Sequence, residues 1–215
     1  MVKSTLICSW FCIILFPGVT LSQDNSTDPI LFYLHGRIVE DQGREAFSER
    51  FGKYEYTEIV HTFEEAGFRV ISEVRPPDTD RLAYAEKVAG QIRELIRQGN
   101  KPSSITVVGA SKGGVIAMTV STLLQNKDVN FVLLANCNEG IRQSYDIQLC
   151  GRILSIYEAS DEIGGSCEGI FADADCNLHT HEIRLETGLA HGFIYRPLEA
   201  WVKPAISWAI GKSIK

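Results

Sequence analysis

The sequence predicts an α/β fold with a mostly parallel central sheet and helices on both faces, on three observations. Short runs such as Ile30 to Leu34, Ile105 to Val108 and Val129 to Ala135 are almost continuously apolar, as strands covered on both faces must be. Between them lie segments whose apolar residues recur at helical spacing. Polar residues of chemical interest cluster just past the ends of the runs, where open parallel sheets form their sites.

From Pro29, the first run ends at His35-Gly36. A helical stretch follows, with Phe47, Phe51, Tyr56, Val60 and Phe63 as its apolar face, and stops at Gly67. Phe68 to Val74 reads as the next strand, closed by Pro76-Pro77. Asp78 or Thr79 caps a helix whose apolar stripe runs from Leu82 through Ala85, Val88, Ala89, Ile92 and Leu95 to Ile96, ending at Gly99-Asn100. The strand from Ser104 to Val108 meets Gly109-Ala110-Ser111-Lys112-Gly113, and a helix runs from there to about Gln125. Val129 to Ala135, Ile153 to Glu158 and His181 to Glu186 are the remaining strands. A closing helix carries Trp201, Ile206, Trp208 and Ile210.

At 215 residues and 45 % hydrophobic content, the chain is long enough for one full-sized core. A single domain over residues 23–215 is expected, as a monomer. The net charge of −6 and the absence of basic runs interleaved with aromatics argue against a nucleic-acid partner. Residues 1–22 read as a cleaved secretory signal. Lys3 starts it, Leu6 to Phe16 form its apolar stretch, Pro17-Gly18 break it, and Thr20 and Ser22 set cleavage before Gln23. The stretch is short for a membrane span, so no stable span is expected after cleavage. The mature chain is expected to be exported, periplasmic or extracellular, with a glycosylation sequon at Asn25.

Cys137, Cys150, Cys167 and Cys176 remain in the mature chain, an even number for an oxidising compartment. Three pairings are open; Cys137–Cys150 and Cys167–Cys176, which close short local loops, are favoured. Cys176, His179 and His181 lie close together but match no four-ligand zinc spacing, so no metal is expected. No nucleotide loop is visible: Lys112 follows Ser111 in the wrong order, and Gly211-Lys212-Ser213 has Ile206 where its first glycine should be.

Ser111 sits between a strand and a helix, in a turn tight enough to demand small neighbours at positions 109 and 113. Such a turn presents the hydroxyl above the sheet, with the Lys112 amide at a helix start where negative charge is stabilised. Asp161 and His191 also follow strands. Ser111, Asp161 and His191 come in the chain order Ser, Asp, His, within the motifs Gly109 to Gly113, Ser160-Asp161-Glu162 and Ala190-His191-Gly192-Phe193, and Leu34-His35-Gly36 precedes them. With these motifs the chain resembles a small, lidless, secreted serine esterase of the α/β-hydrolase superfamily, over essentially all of residues 29–215.

The resemblance implies a triad of Ser111 as nucleophile, His191 as base and Asp161 as its orienting acid, acting on a small-molecule acyl ester without a cofactor. Glu158 and Asp173 are rival acids; His35 is expected to brace the loop that supplies the oxyanion hole. One oxyanion donor is the Lys112 amide. The other comes from Gly36 or Arg37, because the chain lacks the longer His-Gly-Gly-Gly run of many esterases. Thioester, lactone and amide cleavage use the same machinery, and a non-catalytic binding protein on the same fold is the reading from another class. The Lys112 side chain reads as solvated; the alternative is that Lys112 and Arg37 bring positive charge to the mouth. The short span from Ala135 to Arg152 leaves little room for a lid. An open cleft walled by residues 136–150 and 164–178 is expected.

Overall fold

A computed structural model describes residues 28–176 and 179–214; the signal segment and the Asn25 sequon lie outside them. Strand β1 (Ile30–Leu34) enters the core at once and is followed by a short helix α1 (Arg37–Gln42). A two-stranded ribbon, β2 (Phe47–Ser48) and β3 (Gly52–Lys53), precedes helix α2 (Tyr56–Glu65) and strand β4 (Arg69–Ile71). Helix α3 (Arg81–Arg97) leads to β5 (Ile105–Ala110) and α4 (Lys112–Leu124). Then come β6 (Asn130–Leu134), α5 (Glu139–Ser144), β7 (Arg152–Glu158), α6 (Glu168–Ala172), β8 (His179–Leu185) and α7 (Glu199–Ala209).

The six main strands form one sheet in the order β4-β1-β5-β6-β7-β8, every pairing parallel. Strand alternation sorts β1 between two cores. Leu31 and Tyr33 pack with Trp201 and Phe63 on one face, while Ile30, Phe32 and Leu34 pack with Ile92 and Ile116 on the other. The chain leaves β1 toward β4 on one side and returns to β5 on the other. The crevice between the loops after β1 and β5 is therefore the topological switch point, where such sheets bind ligands.

Three expectations are corrected. The helix across Phe47 and Phe51 does not form: α1 lies earlier, and the ribbon occupies the span before α2. Gly43 and Gly52 take positive φ of 80° and 81° and break any continuous helix, while Phe47 is exposed and Phe51 packs on Tyr195. The strand at Phe68 to Val74 shrinks to three residues, because Ser72 donates its hydroxyl to the Tyr33 carbonyl (2.8 Å) where the ladder would continue.

The cysteines pair as Cys137–Cys167 and Cys150–Cys176, with Cα separations of 5.1 and 5.2 Å. Cys137 follows β6 and Cys150 precedes β7, so in adjacent parallel strands they lie at opposite ends of the sheet, about 17 Å apart for a five-residue strand. A disulfide cannot reach across that gap. Among the described residues no helix is long and apolar enough to cross a membrane.

Candidate active site

The turn after β5 holds Ser111 at φ +52° and ψ −119°, a strained backbone for a residue with a side chain. Its amide donates to the Leu134 carbonyl (2.9 Å), and its carbonyl accepts from Gly114 (2.8 Å). The crossing leaves no room for side chains beneath it. A Cβ on Gly109 would lie 2.4 Å from the Gly113 carbonyl oxygen, and one on Gly113 only 1.9 Å from that of Leu34.

Asp161 and His191 reach the same point from the loops after β7 and β8. His191 Nδ1–H donates to Asp161 Oδ2 (2.7 Å), and Ser111 Oγ–H donates to His191 Nε2 (3.0 Å). Both side chains are nearly excluded from solvent, while Ser111 is half-buried. Asp161 Oδ1 is fixed by the Ile163 amide (2.9 Å). The rival acids are occupied elsewhere. Asp173 forms a forked pair with Arg142 (2.6 and 3.0 Å), tying α6 to α5. Glu158 accepts from the Thr187 amide (2.8 Å), the Thr187 hydroxyl (2.7 Å) and the Gly188 amide (3.2 Å), and from the Ser160 hydroxyl (3.1 Å). Burial alone would raise the Glu158 carboxyl; these donors outweigh it and hold it below the usual carboxylate range. Glu158 thus laces the Asp161 loop to the His191 loop.

The loop after β1 is held from below. The Arg75 amide donates to His35 Nε2 (3.0 Å), so His35 Nδ1–H donates to the Gly36 carbonyl (2.8 Å). The Arg75 guanidinium donates to the His35 carbonyl (2.5 Å) and to buried Glu40 (3.1 Å). Lys112 Nζ also donates to Glu40, and to the Thr79 carbonyl (2.9 Å). The Lys112 side chain is therefore paired, neither solvated nor a free charge at the mouth. Burial would raise the Glu40 carboxyl; the Lys112 and Arg75 hydrogen bonds override it and keep it ionised. A Cβ on Gly36 would lie 3.6 Å from Ser111 Cβ, so this loop runs directly alongside the serine. The Lys112 and Arg37 amides begin α4 and α1, and neither has a protein acceptor among the described residues.

Burial, and then the Arg75 charge, hold the His35 imidazole down at about 4. The unfolded chain takes up this proton near pH 6.5, so the contribution to stability is complete above that value and lost as pH falls toward 4. The full shift corresponds to on the order of 3 kcal/mol. Urea midpoints across pH 7 to 4 should fall more steeply in the parent than in His35→Gln; equal slopes would refute this role.

A cleft of about 290 Å³ opens at Ser111, lined by Asn136, Asn138, Ile141 and Tyr145 on one wall and by Arg37, Arg81 and Val115 among others. The wall from residues 136–150 forms as expected. None of the described residues 164–176 lines it: Ile163 does, and α6 packs against α5. A second hollow on the His191 side is flanked by Phe51, Arg50 and Arg196. His61 pairs with Glu64 and Glu65, and His179 stacks on Trp208, both apart from Ser111. Sequence reasoning missed Glu40, Arg75 and Asn136, whose partners or neighbours lie far away in the chain.

No family model matches the chain, and no curated protein matches it. Solved structures do. A lidless α/β serine hydrolase from Xanthomonas campestris is 12 % identical over 86 % of this chain and 82 % of its own, with a TM-score of 0.54. An α/β hydrolase from a Medee basin deep-sea metagenome is 15 % identical over 89 % and 87 %, TM-score 0.51. A candidate α/β hydrolase of unknown function from Agrobacterium tumefaciens is 16 % identical over 85 % and 84 %, TM-score 0.53. Likenesses at such identities speak for architecture. The chain has the α/β-hydrolase fold.

Proposed function

We propose that the chain is a serine hydrolase that cleaves acyl esters through an acyl-enzyme intermediate. The observation that carries this reading is the continuous relay from Ser111 Oγ through His191 to Asp161, at 3.0 and 2.7 Å, beside a strained turn. A serine hydroxyl needs such a base to attack at neutral pH. In the proposed reaction Ser111 Oγ bonds to the ester carbonyl carbon as its proton passes to His191 Nε2. Asp161 keeps Nδ1 protonated and stabilises the imidazolium. The Lys112 and Arg37 amides receive the carbonyl oxygen as it becomes anionic. The carbon–oxygen bond to the alcohol then breaks, and His191 returns the proton to that oxygen. Water, deprotonated by His191, attacks the acyl-enzyme; the carboxylic acid leaves and Ser111 regains its proton.

The three side chains come from one chain, so the reading needs no second subunit, and it draws on no cofactor. The cross-linked cysteine pairs fit an oxidising compartment, which supports export of a single 23–215 domain after loss of residues 1–22. The test is a fluorophosphonate probe on native, folded protein. An adduct mapped to Ser111 is expected; none there would leave a hydrolase-fold binding protein as the better account.

A further inference from the structure

The protein carries a net charge of −6, yet none of the residues lining the cleft at Ser111 is acidic. Three of them are cationic, and their situations differ. Lys112 is paired with Glu40. Arg37 lies 3.4 Å from Asp41 on an exposed helix edge. Arg81 has no carboxylate partner among the described residues. Its guanidinium lies over the Tyr145 ring, 4.1 Å from the centroid, and one nitrogen donates to the Thr119 hydroxyl (2.5 Å). Ring and hydroxyl fix the plane of the fork, leaving the other N–H groups without an acceptor among the described residues.

A guanidinium held this way is pre-organised for a carboxylate, which it binds through two parallel hydrogen bonds. Asn136 lines the same cleft and is packed against Gly114 of α4. It is 4 % exposed, and both atoms of its amide are unpaired among the described residues, where buried amides are nearly always hydrogen-bonded.

We infer that the substrate's acyl part ends in a carboxylate, received by Arg81 at the far end of this cleft. The direction of the chain rests on the serine-hydrolase reading. His191 protonates the departing alcohol, and this cleft touches Ser111 without touching His191, so it takes the acyl side. Ser111, Val115 and Thr119 lie one turn apart along α4, which sets the reach from the serine to the Arg81 anchor at roughly 12 Å. Val115, with Ile141 on the facing wall, gives the span between them an apolar lining suited to a methylene chain.

The test compares 4-nitrophenyl monoesters of adipic and suberic acid with their methyl-capped counterparts on the full chain, spontaneous hydrolysis subtracted. At least one carboxylate-ended ester should exceed its capped partner about tenfold in kcat/KM, the lower range for a hydrogen bond to a charged group. Raising the salt from about 0.05 to about 0.5 M should shrink this preference. Arg81→Gln should erase most of it and Arg81→Lys restore part. If Arg81→Gln fails to fold, the parent's preference and its salt dependence decide alone. Equal rates for charged and capped esters would overturn the inference while leaving the hydrolase reading intact. Calorimetric titration of Ser111→Ala with adipate and suberate separates the two readings. Binding that Arg81→Gln abolishes, in a protein with no turnover of any ester, would uphold the anion site and end the hydrolase reading. Absence of binding alongside equal rates would end the anion site.

Discussion

Turnover of 4-nitrophenyl acetate is expected to fall by about 10⁴-fold or more in Ser111→Ala, to the level of free imidazole in solution, with the thermal unfolding midpoint nearly unchanged. The size follows from the unit character of the relay: without the nucleophile, the base and its orienting acid have nothing to activate. Asp161→Asn should cost about as much, on the order of 10⁴-fold, for a different reason. An asparagine at 2.7 Å from His191 Nδ1 can present its amide N–H, which would favour the tautomer with the proton on Nε2 and leave no acceptor for the serine. The double variant should be hardly worse than either single one. Turnover surviving in Ser111→Ala at parental rates would remove the proposed chemistry; independent, multiplying losses would show that the residues do not act as a unit.

The second large effect is structural. Gly113→Ala is expected to destabilise the fold by more than about 4 kcal/mol, enough to prevent accumulation of native protein. The added Cβ would lie 1.9 Å from the Leu34 carbonyl oxygen and 2.7 Å from that of His35. Those are backbone atoms at the end of β1, a strand paired on both sides, so neither can retreat. Gly90 is the control. It lies exposed inside α3, where an added methyl would meet nothing within 4 Å, and Gly90→Ala should raise stability by roughly 0.5 to 1 kcal/mol. Denaturant midpoints that move alike in the two variants would refute the steric account.

Buried parallel strands are legible because both faces must be apolar, which leaves an unbroken signature in the sequence. Ser111 and Asp161 are legible for a related reason, since each follows such a run; His191 follows the mostly polar edge strand β8, and a parallel sheet gathers those ends along one rim. The span from Arg37 to Lys53 is not legible in the same way. Its phenylalanines recur at roughly helical intervals, yet two glycines in left-handed conformations turn the chain into a ribbon. Cysteine pairing misleads when judged by proximity along the chain. A crossover between parallel strands starts at one end of the sheet and finishes at the other, so near neighbours in sequence are held apart. That geometric rule excludes Cys137–Cys150 once the two flanking strands are taken as parallel neighbours. Glu40 and Arg75 carry no local signal at all, since their partners come from segments 35 and 72 residues away.

Glu40, Arg75 and Lys112 together hold two positive charges and one negative, with Arg75 and Glu40 buried and Lys112 partly exposed, and Arg75 Nη1 has no hydrogen-bond partner among the described residues. Neutral His35 does not alter that imbalance. Within this triplet the positive charges outnumber the negative, beside the start of α4. In the proposed reaction the oxygen gains its electrons over a bed that is already polarised, so little of the surrounding solvent must reorient while the bond is made.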